Sequence, residues 1–358
     1  MAVYLREFAT QAAYEAAQSS LMLPNVSLID ETNGVEYNPS SPDPRLIAVY
    51  NVTSTSESTQ IISDYSDSPF SAIEIDGVAQ SSVVNTYTFS TTGEHTVKYT
   101  LTDPTNIGNN AFNECRNLTS IDIPNSVTSI GSYAFYNCSG LTSIDIPDSV
   151  TSIGSYAFLS CDGLTSVDIP NSVTSISNSV FEDCSGLTSI DIPDSVTSIG
   201  GSAFNGCRSL TNINIPNGVT NIGTAVFYNC IGLTSCTIGS GVTSIGSSAF
   251  NNCSSLTSMT IPDSVTSIGN SAFYKCAGLT SITIGSGVTS IEQQAFNGCN
   301  SLTSIVSNAT TAPTISSYTF ENINTGGTLT VPSGSDYSVW MGTGAYYLGY
   351  YNWTKVEQ

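Results

Sequence analysis

Ser120-Ile121-Asp122-Ile123-Pro124 returns as Ser143-Ile144-Asp145-Ile146-Pro147, then as Ser166-Val167-Asp168-Ile169-Pro170 and Ser189-Ile190-Asp191-Ile192-Pro193. The step is the same each time, and the unit runs without insertion or deletion from about Ile107 to Ile305. Nine of the ten cysteines keep that step, at 115, 138, 161, 184, 207, 230, 253, 276 and 299. Phenylalanines do the same from Phe112 to Phe296, and leucines from Leu118 to Leu302. A fixed short period of this kind marks a solenoid, in which one copy cannot bury its apolar face alone and must stack on its neighbours.

Inside a copy, Ile121 and Ile123 alternate with Ser120 and Asp122, which predicts a short parallel strand with isoleucines inward and small polar groups outward. Leu118, Val127, Ile130, Ala134 and Phe135 fill the same core from the turns. Gly131, recurring as Gly154, Gly200, Gly223, Gly246 and Gly269, marks a tight corner before Ala-Phe-x-x-Cys, which is read as a short helical or 3₁₀ turn. Downstream, Phe320, Ile323, Leu329, Val331 and Pro332 restore the repeat positions of Phe296, Cys299, Ile305, Ser307 and Asn308, after a step longer by a single position. That makes about ten rungs in a parallel sheet roughly 43 Å long at ~4.8 Å per strand. The predicted class is mainly β with short helical turns.

The repeat array, 104–332, is preceded by two smaller units and followed by an aromatic tail, 333–358. Residues 1–40 read as a helix (Thr10 to Met22, stopped by Pro24) and a hairpin turning at Asn33-Gly34, serving as a local lid or as a docking and assembly element. Three prolines within Pro39–Pro44 make a stiff linker. Residues 45–103 alternate apolar and polar in several short runs and read as a small antiparallel domain of immunoglobulin-like sandwich type. Val97 and Tyr99 precede Ile121 and Ile123 by the repeat step plus a single position, so this last strand is predicted to cap the open edge of the solenoid. The tail carries Trp340, Tyr346, Tyr347, Tyr350, Tyr351 and Trp353, either as a cap over the last rung or as a sugar-stacking surface.

With 7 basic against 28 acidic residues, a formal charge of -21 repels phosphate backbones and anionic lipid, so neither nucleic acid nor membrane insertion is expected. Met1 to Leu23 holds Arg6, Glu7 and Glu15 and lacks the apolar core of a cleavable secretory signal. Parallel stacking points nine thiols the same way at ~4.8 Å intervals, a poor geometry for disulfides, and the last rung has Ile323 in the cysteine position. A reduced, buried ladder follows. Cys236 stands where most copies have Ile.

The outward row offers the candidate binding surface: Ser120, Asp122, Ser143, Asp145, Ser166, Asp168, Ser189, Asp191, Asn214, Thr237, Thr260 and Thr283. Its first half is an acidic ladder and its second half amide and hydroxyl. Aspartates one rung apart repel; they form a solvated face, a patch for a cationic partner, or a weak Ca²⁺ site at Asp122, Asp145, Asp168 and Asp191. No catalytic constellation and no cofactor motif is present. His95, the lone histidine, is read as an exposed strand residue.

Leu-x-x-Ile-x-Ile-Pro-x-x-Val-x-x-Ile-Gly-x-x-Ala-Phe-x-x-Cys resembles the leucine-rich repeat of the BspA-like family, the bacterial 23-residue class, over roughly 107–332. The departures are Ser177 and Glu292 for the corner Gly, Gly239 and Gly285 for Pro, and Val180 and Val226 for Ala. The resemblance implies adhesion or protein binding without catalysis, on a cell surface. Phe8 to Pro39 is similar to leader segments of structural and fibre-like proteins of phages of gut Bacteroidales. Together these imply a non-enzymatic binding protein whose partner is a protein or surface glycan of a host cell. The favoured setting is a phage virion, as an appendage joined to other virion proteins through residues 1–40; the alternatives are a bacterial surface adhesin and a purely structural spacer. Homo-oligomerisation stays open.

Overall fold

A computed structural model of the chain describes residues 45–64 and 68–358, together with the strands β1 (Leu28–Ile29) and β2 (Glu36–Tyr37). The chain divides into two compact units, 1–44 and 45–358. In the first, β1 and β2 pair antiparallel, Leu28 opposite Tyr37; the helix expected over Thr10 to Met22 and the proline linker lie outside the described residues.

The second unit begins with β3 (Arg45–Val52), β4 (Thr59–Gln60), β5 (Phe70–Ile75), β6 (Val78–Ala79), β7 (Thr86–Tyr87) and β8 (Gly93–Leu101). The repeats then open with β9 (Asn106–Ile107), β10 (Leu118–Asp122) and β11 (Ser129–Ile130). Strand alternation decides the first layer: Leu46, Ala48, Tyr50 and Val52 of β3 and His95, Val97, Tyr99 and Leu101 of β8 all point to one buried face. The sheet order is β10-β3-β8-β5-β6, so this sheet takes the first long strand of the solenoid as its own edge. Sealing the solenoid's edge therefore falls to β3, antiparallel to β10 with Ile121 opposite Ala48. The strand expected in that role, β8, lies one place further out because it pairs with both β3 and β5.

From there each rung contributes a long and a short strand to two parallel ladders. The longer strands run from β10 through Ser143–Asp145 to Thr328–Val331, and the shorter from β9 and β11 to Thr314–Ile315. One more strand than expected, Thr354–Glu357, pairs parallel with Thr328–Val331 and completes an eleventh rung.

The turn read as helical or 3₁₀ is neither. Two residues in each copy take left-handed backbone angles, as in Tyr133 and Asn137 (both φ 57) or Ala225 and Asn229 (φ 55 and 59). That reversal sends alternate N–H groups in different directions. Those of Tyr133, Phe135 and Asn137 reach the carbonyls of Ser155, Ala157 and Leu159 in the next rung (3.1, 2.8 and 2.8 Å), while Tyr136 and Cys138 close local turns onto Tyr133 and Phe135 (both 3.2 Å). A left-handed non-glycine residue costs roughly 1 kcal/mol or more, which the inter-rung bonds offset. The corner glycine answers a different need: a Cβ on Gly131 would stand 2.5 Å from the N of Asn109 in the rung below.

Buried at the centre, ten phenylalanines from Phe112 to Phe320 stack ring on ring, with centroids 5.2–5.8 Å apart and planes within 20°. Tyr99 and Phe70 close the column at one end (5.2 and 5.4 Å from Phe112), and Trp340 closes it at the other (5.3 Å from Phe320). Beside it the nine cysteines that keep the repeat step are free and buried. From Cys138 to Cys299 each thiol donates to the carbonyl of the phenylalanine 26 residues earlier, at 3.0–3.1 Å. Burial pushes the thiols up, Cys276 to about 12 and Cys138, Cys184, Cys207, Cys253 and Cys299 well above their ordinary value.

Truncation of one ring, Phe204→Ala, should lower the unfolding free energy by about 3–5 kcal/mol in a guanidinium titration, since the rungs on both sides lose a stacking partner. The thiols add a pH dependence. In the folded rod they stay protonated, whereas in the unfolded chain they ionise above about pH 8.5, so their stabilisation is complete below that pH and is lost as pH rises. Guanidinium titrations from neutral to alkaline pH should therefore show falling midpoints, with the unfolding free energy dropping by up to about 1.4 kcal/mol per pH unit for each buried thiol.

Candidate binding face

The row picked out in the sequence is brought together by the long-strand ladder. Ser143, Ser166 and Ser189 are register partners in successive rungs, as are Asp145, Asp168 and Asp191, and all six are exposed. Asn214 stands beside Thr237 and Thr260 beside Thr283, with Thr283 already partly covered. Asp122 heads the row, exposed at the end of β10. Its own strand is held by β3, with Asp122 opposite Ile47, so this first carboxylate lies at the junction of the two sheets. Beyond Thr283 the row runs on through Val306 and Thr330 to Val356, turning from polar to partly apolar.

What keeps this face flat and in register escaped the sequence reading. Thr119 and its equivalents Thr142, Thr165, Thr188, Thr211, Thr234, Thr257, Thr280 and Thr303 precede a serine in all copies but one, where Asn212 follows Thr211. Thr142 donates both its N–H and its hydroxyl to the carbonyl of Thr119 (3.2 and 3.3 Å), and the hydroxyl bond repeats up the column. A second column from Thr128 does the same beside the short strands. The signal was there as an invariant residue with no packing role. These hydroxyls are spoken for by the fold, whereas Ser143, Ser166 and Ser189 and Asp145, Asp168 and Asp191 stand exposed and in register from rung to rung.

The carboxylates stand one per rung in a line, and among the described residues no three His, Cys, Asp or Glu side chains converge on a point where a metal ion could sit. His95 is buried rather than exposed, at 8% accessibility. Its Nδ1 lies 2.7 Å from Oδ2 of Asp76 and its Nε2 3.0 Å from the Thr91 carbonyl, against the ring of Phe89 (4.3 Å between centroids). The hairpin folds over the imidazole because His95 falls on the inward side of β8, a parity the sequence reading missed. Cys236 is partly buried, and desolvation raises its thiol too.

Much of the aromatic tail is spent on closure. Tyr337, Trp340 and Trp353 are buried, and their polar atoms donate to the carbonyls of Ala309, Pro313 and Asn324 at 2.8, 2.9 and 2.8 Å. Tyr350 remains exposed. A further aromatic surface went unremarked in the sequence: Tyr133 stacks on Tyr156 at 4.7 Å with planes 7° apart. No described helix is long and apolar enough to cross a membrane.

Like charges one rung apart weaken a ladder, and salt screens them. Asp168→Asn, the middle member of the three registered aspartates, should raise the thermal midpoint at low ionic strength, with the gain disappearing in high salt.

A family model, the BspA type leucine rich repeat region, matches residues 105–234 and 221–337 in six copies. No curated protein matches the chain. Among solved structures it is similar to a leucine-rich repeat protein of T. pallidum, with 29% identity over 44% of this chain and 75% of that one and a TM-score of 0.43. It is also similar to a leucine rich cell surface protein of Faecalibacterium prausnitzii, with 30% identity over 73% of this chain and 83% of that one and a TM-score of 0.40. A leucine-rich repeat protein of Bacteroides ovatus has 22% identity over 66% of this chain and 89% of that one, with a TM-score of 0.30. With the repeat model spanning well over half of its length, the chain belongs to the BspA-type leucine-rich repeat family.

Proposed function

We propose that this is a non-enzymatic adhesion protein that recognises a protein or surface glycan of a host cell through the exposed face of its long-strand ladder. One observation carries the reading: the inward residues and the threonine columns scarcely change along the rod, while the row Asp122, Asp145, Asp168, Asp191, Asn214, Thr237, Thr260, Thr283 changes halfway. Those side chains are not needed for packing, so their grading can serve recognition. A rigid face with its backbone hydrogen bonds already made loses little freedom on binding. Its acidic half suits a cationic patch on the partner. The F. prausnitzii relative, described as a cell surface protein, favours a bacterial cell surface as the setting. A phage virion remains a second setting, supported by the likeness of residues 8–39 to phage leader segments.

Flow cytometry with the labelled full chain on host cells tests the reading. Binding should be saturable, and Asp145→Asn, Asp168→Asn and Asp191→Asn combined should weaken it by about tenfold. Loss after protease treatment of the cells identifies a protein partner, and loss after glycosidase treatment a glycan. No binding to any host surface tried, or a triple variant that binds like the wild type, would refute the role of this face.

A further inference from the structure

The last strand, Thr354–Glu357, has one edge bonded to Thr328–Val331 and one edge that carries no partner among the described residues. Thr354 and Gln358 direct their N–H groups back to Gly327 and Val331, at 2.9 and 3.0 Å. By the alternation of a strand, Lys355 and Glu357 therefore point their backbone N–H and C=O groups at the open edge. Their side chains share one face and meet at 3.0 Å, while Val356, 44% exposed, occupies the other. Six large hydrophobic side chains are well exposed among the described residues, and three of them, Val339, Tyr350 and Val356, sit in the segment that closes this end of the rod.

Lys355-Val356-Glu357 is its own complement when run antiparallel to itself. Centred on Val356, the pairing sets Lys355 opposite Glu357 of a second copy and Glu357 opposite its Lys355, with Val356 against Val356. Those two lysine–glutamate positions are the ones whose backbone groups are open, so each can exchange a reciprocal pair of hydrogen bonds. A centre on residue 355 or 357 would oppose like charges, and a centre between residues would pair an open backbone with a closed one. A lone lysine on an edge strand blunts association. Here the glutamate two residues on reverses that effect, because the second copy presents a carboxylate where the lysine arrives.

We propose that the chain forms a two-fold, end-to-end dimer through the open edge of Thr354–Glu357, its partner being a second copy of itself. The geometry is isologous, as a symmetric dimer requires. A four-residue edge falls short of the about 800 Å² that a standard interface buries per partner. The dimer therefore belongs to the weak, reversible class, with dissociation in the roughly micromolar range. It doubles the number of recognition faces on one particle, which raises avidity without any new contact to the partner.

Sedimentation equilibrium on the full chain, over concentrations spanning the roughly micromolar range, is the test. The mass should climb from one chain to two. Lys355→Glu alone and Glu357→Lys alone should each hold the chain monomeric, and the two together should restore the dimer, since the swapped pair is again self-complementary. Emission from Trp340 and Trp353, the two tryptophans of the cap, reports whether a variant has disturbed the closing segment. If a single swap does so, Val356→Asp takes its place and is expected to be monomeric. A wild type that stays monomeric, single variants that dimerise normally, or a double swap that fails to restore association would each overturn the proposal.

Discussion

Every rung has to place its phenyl ring squarely over the one below, and that requirement governs the length and shape of the whole repeat. Ring centroids at 5.2–5.8 Å sit slightly above the ~4.8 Å of hydrogen-bonded strands, so column and ladders agree only if each copy returns to the same place after one circuit. The constant step between Phe112 and Phe296 follows from that agreement. Where the circuit lengthens by a single position, at Phe320, the addition falls in the loop before it and the ring still stacks at 5.8 Å. Core, turn and surface are thus not independent: the left-handed residues of the turn, the corner glycine and the threonine columns each keep the next ring in line.

A column of this kind has two raw ends, and the chain treats them differently. At the start, an antiparallel sheet built from residues 45–101 joins the first long strand through β3 and lays Tyr99 and Phe70 on Phe112. Tyr50 and Tyr99 are wholly buried there, with both hydroxyls directed to the Ile61 carbonyl, so the cap is tied down by polar contacts as well as packing. At the finish, Trp340 covers the ring column while the strand ladder simply adds one more strand. Stability in such an array is set by neighbour contacts rather than by a central core, so the ends decide how far fraying can travel inward.

Sequence alone carried the repeat far. Period, inward and outward positions, the reduced thiol column and the order of the outward row were legible because each depends on spacing within one copy. Features that depend on contact between distant segments were not. Which strand seals the first edge turns on whether β3 or β8 lies nearer β10, and both alternate equally well. The parity of His95 depends on how the hairpin at Gly93 folds over it. The turn conformation was misread because Ala-Phe-x-x-Cys has the spacing of a helical turn, while its N–H groups find partners one rung away instead of along the segment. Thr354–Glu357 lacks the leucine and proline of the other copies, and Lys355 stands where Leu329 would predict an apolar residue. As for the outward row, spacing located it, but the identity of its partner is written on another molecule.

The thiol column has a consequence for how the rod is made. A sulfur of the column becomes inert only when its rung docks on a neighbour, because shielding comes from burial in the stacked core and, from Cys138 to Cys299, from the carbonyl that accepts the thiol's hydrogen bond. A chain caught partway through assembly is therefore chemically two-toned, with closed sulfurs where stacking has passed and open ones where it has not. Alkylating reagents would read the position of that front rung by rung. Oxidants would arrest it, since a bond between neighbouring sulfurs needs a separation that the stacked rungs do not allow. Maturation in an oxidising compartment is in this sense a race between stacking and sulfur chemistry.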